Sequence, residues 1–180
     1  MPAFCILERV LPLLLLLAQA PVIDSLDPLQ TPGAHATVLI FVRTDCPISN
    51  RYAPEIQRIA ARFSSQGVKF WLVYADPSET ADSIRKHLAD YHYDLGVLRD
   101  PKRLLVKAAK ARVTPEAAIF LPNRKLAYHG RIDDRYIDFG KARNAPTTHD
   151  LEAALEAVIA GKPVPSEATR AVGCYLADLQ

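Results

Sequence analysis

Thr37-Val38-Leu39-Ile40-Phe41-Val42 is an unbroken run of apolar and β-branched residues, and it predicts a short buried strand. Beyond it Ile56, Ile59, Ala60 and Phe63 recur at helical spacing, which predicts an amphipathic helix over residues 50–65 closed by Gln66-Gly67. Val68 to Ala75 reads as a second buried strand, with Trp71 in its core or on the sheet face. Asp76-Pro77-Ser78 signals a turn and a helix start, Ser78 being the expected N-cap of a helix running to about Asp90. A short strand over Leu95–Leu98 ends at Arg99-Asp100-Pro101, and residues 102–111 form a small helix whose Lys102, Arg103, Lys107 and Lys110 read as a solvated face. Ala117 to Leu121, the turn Pro122-Asn123-Arg124 and the return Lys125–His129 predict a hairpin.

Residues 130–149 lose all periodicity and are highly charged, so they read as a long loop, packed over one end of the domain. Pro146-Thr147-Thr148 opens a last helix bearing Leu151, Leu155, Val158 and Ile159, and Gly161 ends it. A tail with Pro163 and Pro165 then leads to Gly173-Cys174-Tyr175-Leu176. At the other end, residues 21–35 hold Pro21, Pro28, Pro32 and Gly33 without a pattern and read as a linker. Residues 1–20 have the form of a secretory signal. Val10 to Ala18 is apolar but too short to span a bilayer, and Ala18-Gln19-Ala20 has the small-x-small cleavage pattern. The expectation is therefore an exported protein, periplasmic or secreted, with no stable membrane span and one domain over residues 36–180.

Composition adds little except by exclusion. In 180 residues there are 22 basic and 20 acidic side chains, a net charge of +2 that gives no basic excess for nucleic acid. His87 and His92 have no third ligand at metal spacing and are expected at the surface, so neither a metal nor an organic cofactor is implied.

Cysteine is where the chemistry lies. Cys46 stands between the first strand and the next helix, and Pro47 suits that helix's first turn, where a missing N–H costs nothing. Unpaired N–H groups and the positive end of the helix dipole favour a thiolate there. Arg43 and Arg51 add to this and Asp45 opposes it. The bland alternative is a buried cysteine acting as a small hydrophobe. Cys5 would leave with the signal. Cys46 and Cys174 remain, an even pair that an oxidising compartment invites to bond, although sequence does not supply the separation a disulfide requires.

Cys46-Pro47-Ile48-Ser49, with Pro54 further along the helix, resembles the thioredoxin-like superfamily, in which a Cys-x-x-Cys motif opens a helix that a proline kinks. Val113-Thr114-Pro115 looks like that superfamily's cis-proline loop, which lies against the active-site cysteine. Over residues 35–176 the chain further resembles a bacterial group of peroxiredoxin-like proteins with redoxin (alkyl hydroperoxide reductase/thiol-specific antioxidant) domains. Leu98-Arg99-Asp100, Tyr128-His129-Gly130-Arg131-Ile132-Asp133-Asp134, His149-Asp150-Leu151, Gly161-Lys162-Pro163-Val164 and Gly173-Cys174 carry that likeness.

The resemblance implies an α/β, thioredoxin-like fold: a central mixed β-sheet flanked by helices, with a long charged loop and a C-terminal tail. It implies Cys46 as nucleophile and Cys174 as resolving thiol. Thr44 and Arg131 would support the sulfur's charge or bind peroxide. Pro47, Thr114 and Pro115 would meet the substrate, the last two by strand pairing. Its partners would be a thiol-protein reductant and a peroxide or disulfide substrate. Two departures stand out. Ser49 occupies the place of the superfamily's second cysteine, and Thr44 is two residues before Cys46 where a peroxiredoxin's threonine is three before. An exported thiol-disulfide oxidoreductase or peroxidase is the expectation. A thioredoxin-fold binding module with an idle or structural cysteine pair is the alternative.

Overall fold

A computed structural model describes residues 26–176. The expected signal over residues 1–20, with Cys5, lies outside the described residues. No helix among the described residues is long and apolar enough to cross a membrane.

The first predicted strand is the centre of the molecule. It spans Ala36–Val42 (β1), and all seven residues are buried. Residues alternate across a strand, so Val38, Ile40 and Val42 enter one apolar core while Leu39 and Phe41 enter a second on the opposite face. Burial on both faces explains why this segment is apolar throughout instead of alternating.

On one side β1 pairs in parallel with Val68–Tyr74 (β2), which pairs in parallel with Gly96–Arg99 (β3). Val113–Thr114 (β4) is a short strand outside this sheet. On the other side β1 pairs antiparallel with Glu116–Phe120 (β5), and β5 with Leu126–Gly130 (β6), the expected hairpin. The result is a mixed five-stranded sheet in the order β3-β2-β1-β5-β6.

Helical segments cover both faces. The predicted 50–65 helix is two helices, Pro47–Arg51 (α1) and Ala53–Ser64 (α2), meeting at Tyr52. Pro54 lies in the first turn of α2, where its lacking N–H breaks continuity with the turn before. Ala81–Asp90 (α3) starts two residues later than expected. Ser78 gives its N–H and hydroxyl to Asp76 Oδ1 and is no cap, whereas Thr80 Oγ1 accepts the Ser83 N–H at 3.1 Å. Leu104–Ala109 (α4) is capped by Asp100, whose buried carboxylate accepts the N–H groups of Leu104, Leu105 and Val106 at 2.7, 2.9 and 3.0 Å. The last helix is Asp150–Ile159 (α5). α2, α3 and α5 pack on the first core, and α4 on the second together with Leu29 of the lead-in.

Two expectations are corrected. His87 is not a surface histidine: it is 3% exposed, held between the Tyr74 hydroxyl at 2.7 Å and Asn50 Oδ1 at 2.8 Å. Its place on the inner face of α3, one turn from Ile84, puts it there. Residues 130–149 are not simply loop, because Tyr136–Asp138 (β7) and Lys141–Ala142 (β8) pair antiparallel as a small hairpin. Gly140 between them, at φ 72°, supplies the left-handed residue the reversal needs.

The described part of the tail, to Leu176, follows a defined course. Residues 167–169 run beside β6, where His129 N–H donates to Glu167 O at 3.0 Å and Thr169 N–H to His129 O at 3.1 Å. Cys174–Tyr175 (β9) then pairs antiparallel with β4, and Leu176 buries itself in the second core.

Candidate active site

Cys46 is the N-cap of α1, in extended conformation, and is fully buried. Its sulfur accepts the Ser49 N–H at 3.4 Å, one of the donors a helix leaves unpaired in its first turn. Its S–H lies 3.0 Å from the Thr114 carbonyl oxygen, immediately before a cis Thr114-Pro115 bond. The cis-proline loop thus lies against the cysteine, as the resemblance implies.

Cys174 completes the arrangement. Its Sγ is 2.7 Å from Cys46 Sγ, with both cysteines as free thiols. The register makes this contact: Thr114 faces Cys174 and Val113 faces Tyr175 across the β4–β9 ladder. Gly173 lets the strands close, since a Cβ there would lie 2.0 Å from the Thr114 oxygen. Burial pushes the Cys174 thiol up to about 12, helped by its hydrogen bond to Cys46 and by charge on that sulfur. Cys174 is the donor in its contact with the Cys46 sulfur.

The edge expected to receive a substrate strand is thus taken by the chain's own tail. Glu116 braces that edge, its Oε2 accepting the N–H groups of Arg112 and Val113 at 2.8 and 3.2 Å. Its Oε1 faces His129 Nδ1 at 3.4 Å. Along the outside of β9, on either side of Cys174, a cavity of about 570 Å³ is lined by Arg112, His129, Phe139, Arg170, Gly173 and Tyr175.

The other predicted residues are distributed differently. Pro47 is exposed beside Cys46 at the first position of α1. Thr44 is engaged by Glu79: its N–H donates to Glu79 Oε1 at 2.7 Å and its hydroxyl also meets Glu79. Arg131 forks onto Asp150 at 2.8 and 3.1 Å and reaches Thr148, and it takes no part in the hydrogen bonds of Cys46. Arg43 is held by Asp45 at 3.0 Å and Asp76 at 3.6 Å. The hydroxyls of Ser49 and Thr114, residues whose backbone groups meet the Cys46 sulfur, are buried without a hydrogen-bond partner among the described residues.

Three contributors are not among the expected site residues. Glu79 lies under the Thr44 backbone, 6% exposed, and burial raises its carboxyl from the ordinary 4.5 to about 7 against the opposing Thr44 bonds. Glu116 and Gly173 act through backbone contacts, which leave no periodic trace. For Gly173 the sole signal was its place before a cysteine.

Residues 25–129 match the AhpC/TSA family. No curated protein matches the chain. An uncharacterized conserved protein from Geobacillus kaustophilus is 28% identical with a TM-score of 0.68, the similarity covering 78% of this chain and 76% of that one. A hypothetical protein from Sinorhizobium meliloti 1021 is 27% identical with a TM-score of 0.69, covering 80% of each chain. MTB DsbF, solved in mixed oxidized and reduced forms, shares the fold at 17% identity and a TM-score of 0.51, covering 73% of this chain and 84% of that one. The sheet order, the cysteine at the start of α1 and the cis-proline loop agree with that match, which spans more than half of the sequence: the chain belongs to the AhpC/TSA family and has a thioredoxin-like fold.

Proposed function

We propose that this protein is an exported thiol-disulfide oxidoreductase that cycles between a Cys46–Cys174 dithiol and the corresponding disulfide. The single observation that carries this reading is the 2.7 Å approach of Cys174 Sγ to Cys46 Sγ, imposed by the β4–β9 register. In the oxidised form an incoming thiolate attacks Cys174, the partly exposed sulfur, and forms a mixed disulfide there. Cys46 leaves as the thiolate, with the Ser49 N–H directed at it. A second thiolate from the partner then attacks its own sulfur in the mixed disulfide. Cys174 is released and takes up a proton, so two partner thiols have become one disulfide and the protein a dithiol. The cavity beside Gly173 and Tyr175 is where the partner's chain is expected to approach. Export, to the periplasm or outside the cell, follows from the signal-like residues 1–20 and supplies the oxidising surroundings such a cycle uses.

Peroxide reduction is a second reading, favoured by family membership and by the buried, unpartnered hydroxyls of Ser49 and Thr114, whose backbone groups meet the sulfur. There Cys46 thiolate attacks a peroxide oxygen and becomes a sulfenic acid, releasing the alcohol or water. Cys174 then displaces water to give the same disulfide. Mass spectrometry after limiting hydrogen peroxide, with and without a thiol reductant, on wild type and Cys174→Ala, separates the readings. Mixed disulfides with thiol proteins, and a Cys46 inert to peroxide, support exchange. A reducible Cys46–Cys174 bond in wild type with sulfenic acid at Cys46 in the variant supports the peroxidase. Neither product, or a bond that resists every physiological reductant, refutes both and leaves the non-catalytic binding module.

A further inference from the structure

Away from the cysteines, three side chains from three elements converge. Glu55 comes from the first turn of α2, Asp133 from the loop after β6 and His149 from the residue capping α5. One ligand-type atom from each lies within 4.8 Å of the others. Asp133 is 2% exposed, and its two oxygens differ in kind. Oδ1 accepts from the Tyr52 hydroxyl and, at 2.9 Å, from the Arg135 N–H. Oδ2 is buried with no partner among the described residues. A carboxylate oxygen sealed from water and unpaired is costly, and such groups are ordinarily paired or bound to a metal.

We propose that Glu55, Asp133 and His149 bind a divalent first-row transition-metal ion of the zinc class. Two carboxylate oxygens and one imidazole nitrogen are a borderline donor set that suits zinc, manganese or ferrous iron more than calcium or copper(I). Ligand atoms about 2.1 Å from an ion stand roughly 3–4 Å apart, so displacements of up to about 0.8 Å per ligand atom close the site. Arg58 currently occupies both oxygens of Glu55, at 2.9 and 2.7 Å. It also reaches Glu152 at 3.2 and 2.7 Å, so it can withdraw onto Glu152 and free Glu55 without losing an ionic partner. Glu152 Oε2 lies 3.7 Å from His149 Nδ1, where it can orient the imidazole and leave Nε2 as ligand. His149 is exposed and leaves the ion a path in from solvent. The bound ion would clamp the charged loop and the start of α5 against α2. Tyr52, which bonds to Asp133 and shares a core with Cys46, lies directly beneath.

Cobalt(II) is the probe, titrated into the full chain and followed by absorption, because it reports its donors. Oxygen and nitrogen ligands give weak visible d–d bands, whereas thiolate ligands add intense near-ultraviolet charge transfer. The expected result is one equivalent bound with d–d bands alone, displaced by zinc. His149→Ala, at an exposed position, and Asp133→Asn, confirmed folded by circular dichroism, should each weaken binding about tenfold or more. Absence of saturable binding, thiolate charge transfer, or an affinity that both variants leave unchanged would each overturn the assignment.

Discussion

Replacing Glu79 by glutamine removes a charge that the fold resists burying. The carboxyl is 6% exposed, and Oε2 has no partner among the described residues. Burial is the main cause of its raised affinity for a proton. The Thr44 bonds oppose it, and the carboxyl titrates near 7 in place of 4.5. Between those values the native state holds a proton that the unfolded chain has already released. Stability from this group is therefore greatest below pH 4.5, declines as pH rises, and is fully lost above about 7. At 1.36 kcal/mol per unit the loss totals about 3 kcal/mol. Glutamine keeps an oxygen for the Thr44 N–H and does not titrate. Its amide brings its own cost, which is the same at every pH, so the informative quantity is the slope. Urea unfolding of both proteins from pH 4 to 8, with excess reductant throughout, should show the variant gaining on wild type between pH 4.5 and 7 and levelling off above. At a urea m-value of about 2 kcal/mol/M the midpoints should move relative to one another by roughly 1.5 M. A pH-independent difference between the two midpoints, or a variant that loses ground as pH rises, would show that Glu79 is not held protonated by its burial.

His87 gives the opposite slope. Burial lowers its proton affinity, so its contribution is present above pH 6.5 and is lost as pH falls below; His87→Gln should flatten that acid limb in the same urea series. Gly173→Ala places a Cβ 2.0 Å from the Thr114 oxygen and should push β9 off β4, costing about 1–3 kcal/mol and speeding alkylation of Cys46 by iodoacetamide. Asp100→Ala strips three N–H groups of α4 of their acceptor and should cost about 2–4 kcal/mol by urea unfolding, with the Cys46–Cys174 contact unaffected by the alkylation assay.

The elements most legible in the sequence were those whose burial was one-dimensional. β1, β2 and the β5–β6 hairpin announced themselves because strands buried on one or both faces need long apolar runs or alternation. Cys46 was legible because a proline just inside a helix start fixes the local geometry. Helix starts were less so: Ser78 and Thr80 are both good caps, and only the turn made by Asp76 decides between them. His87 was misread because α3 has few apolar residues, so its inner face could be mistaken for an outer one. Arg131 and Thr44 drew attention by type, but Asp150 and Glu79 claim them, and those pairings form across distances no local pattern records. The same holds for the meeting of Cys46 with Cys174, which depends on a two-residue strand pairing set by where the tail leaves β6.

The tail contact has a thermodynamic corollary. Cys46 and Cys174 are 128 positions apart, so a bond between them closes almost the whole domain into one loop. In the chain-entropy view, closing a loop of that size removes about 5 kcal/mol of freedom from the unfolded ensemble. Around a thermodynamic cycle, the same quantity measures how much more readily the folded pair oxidises than the two cysteines do in an unfolded chain. Redox state and folding stability thus draw on one free energy. In the proposed cycle, each transfer of oxidising equivalents to a partner returns the protein to its less stable form, so turnover of the site would be written into the melting temperature of the whole domain.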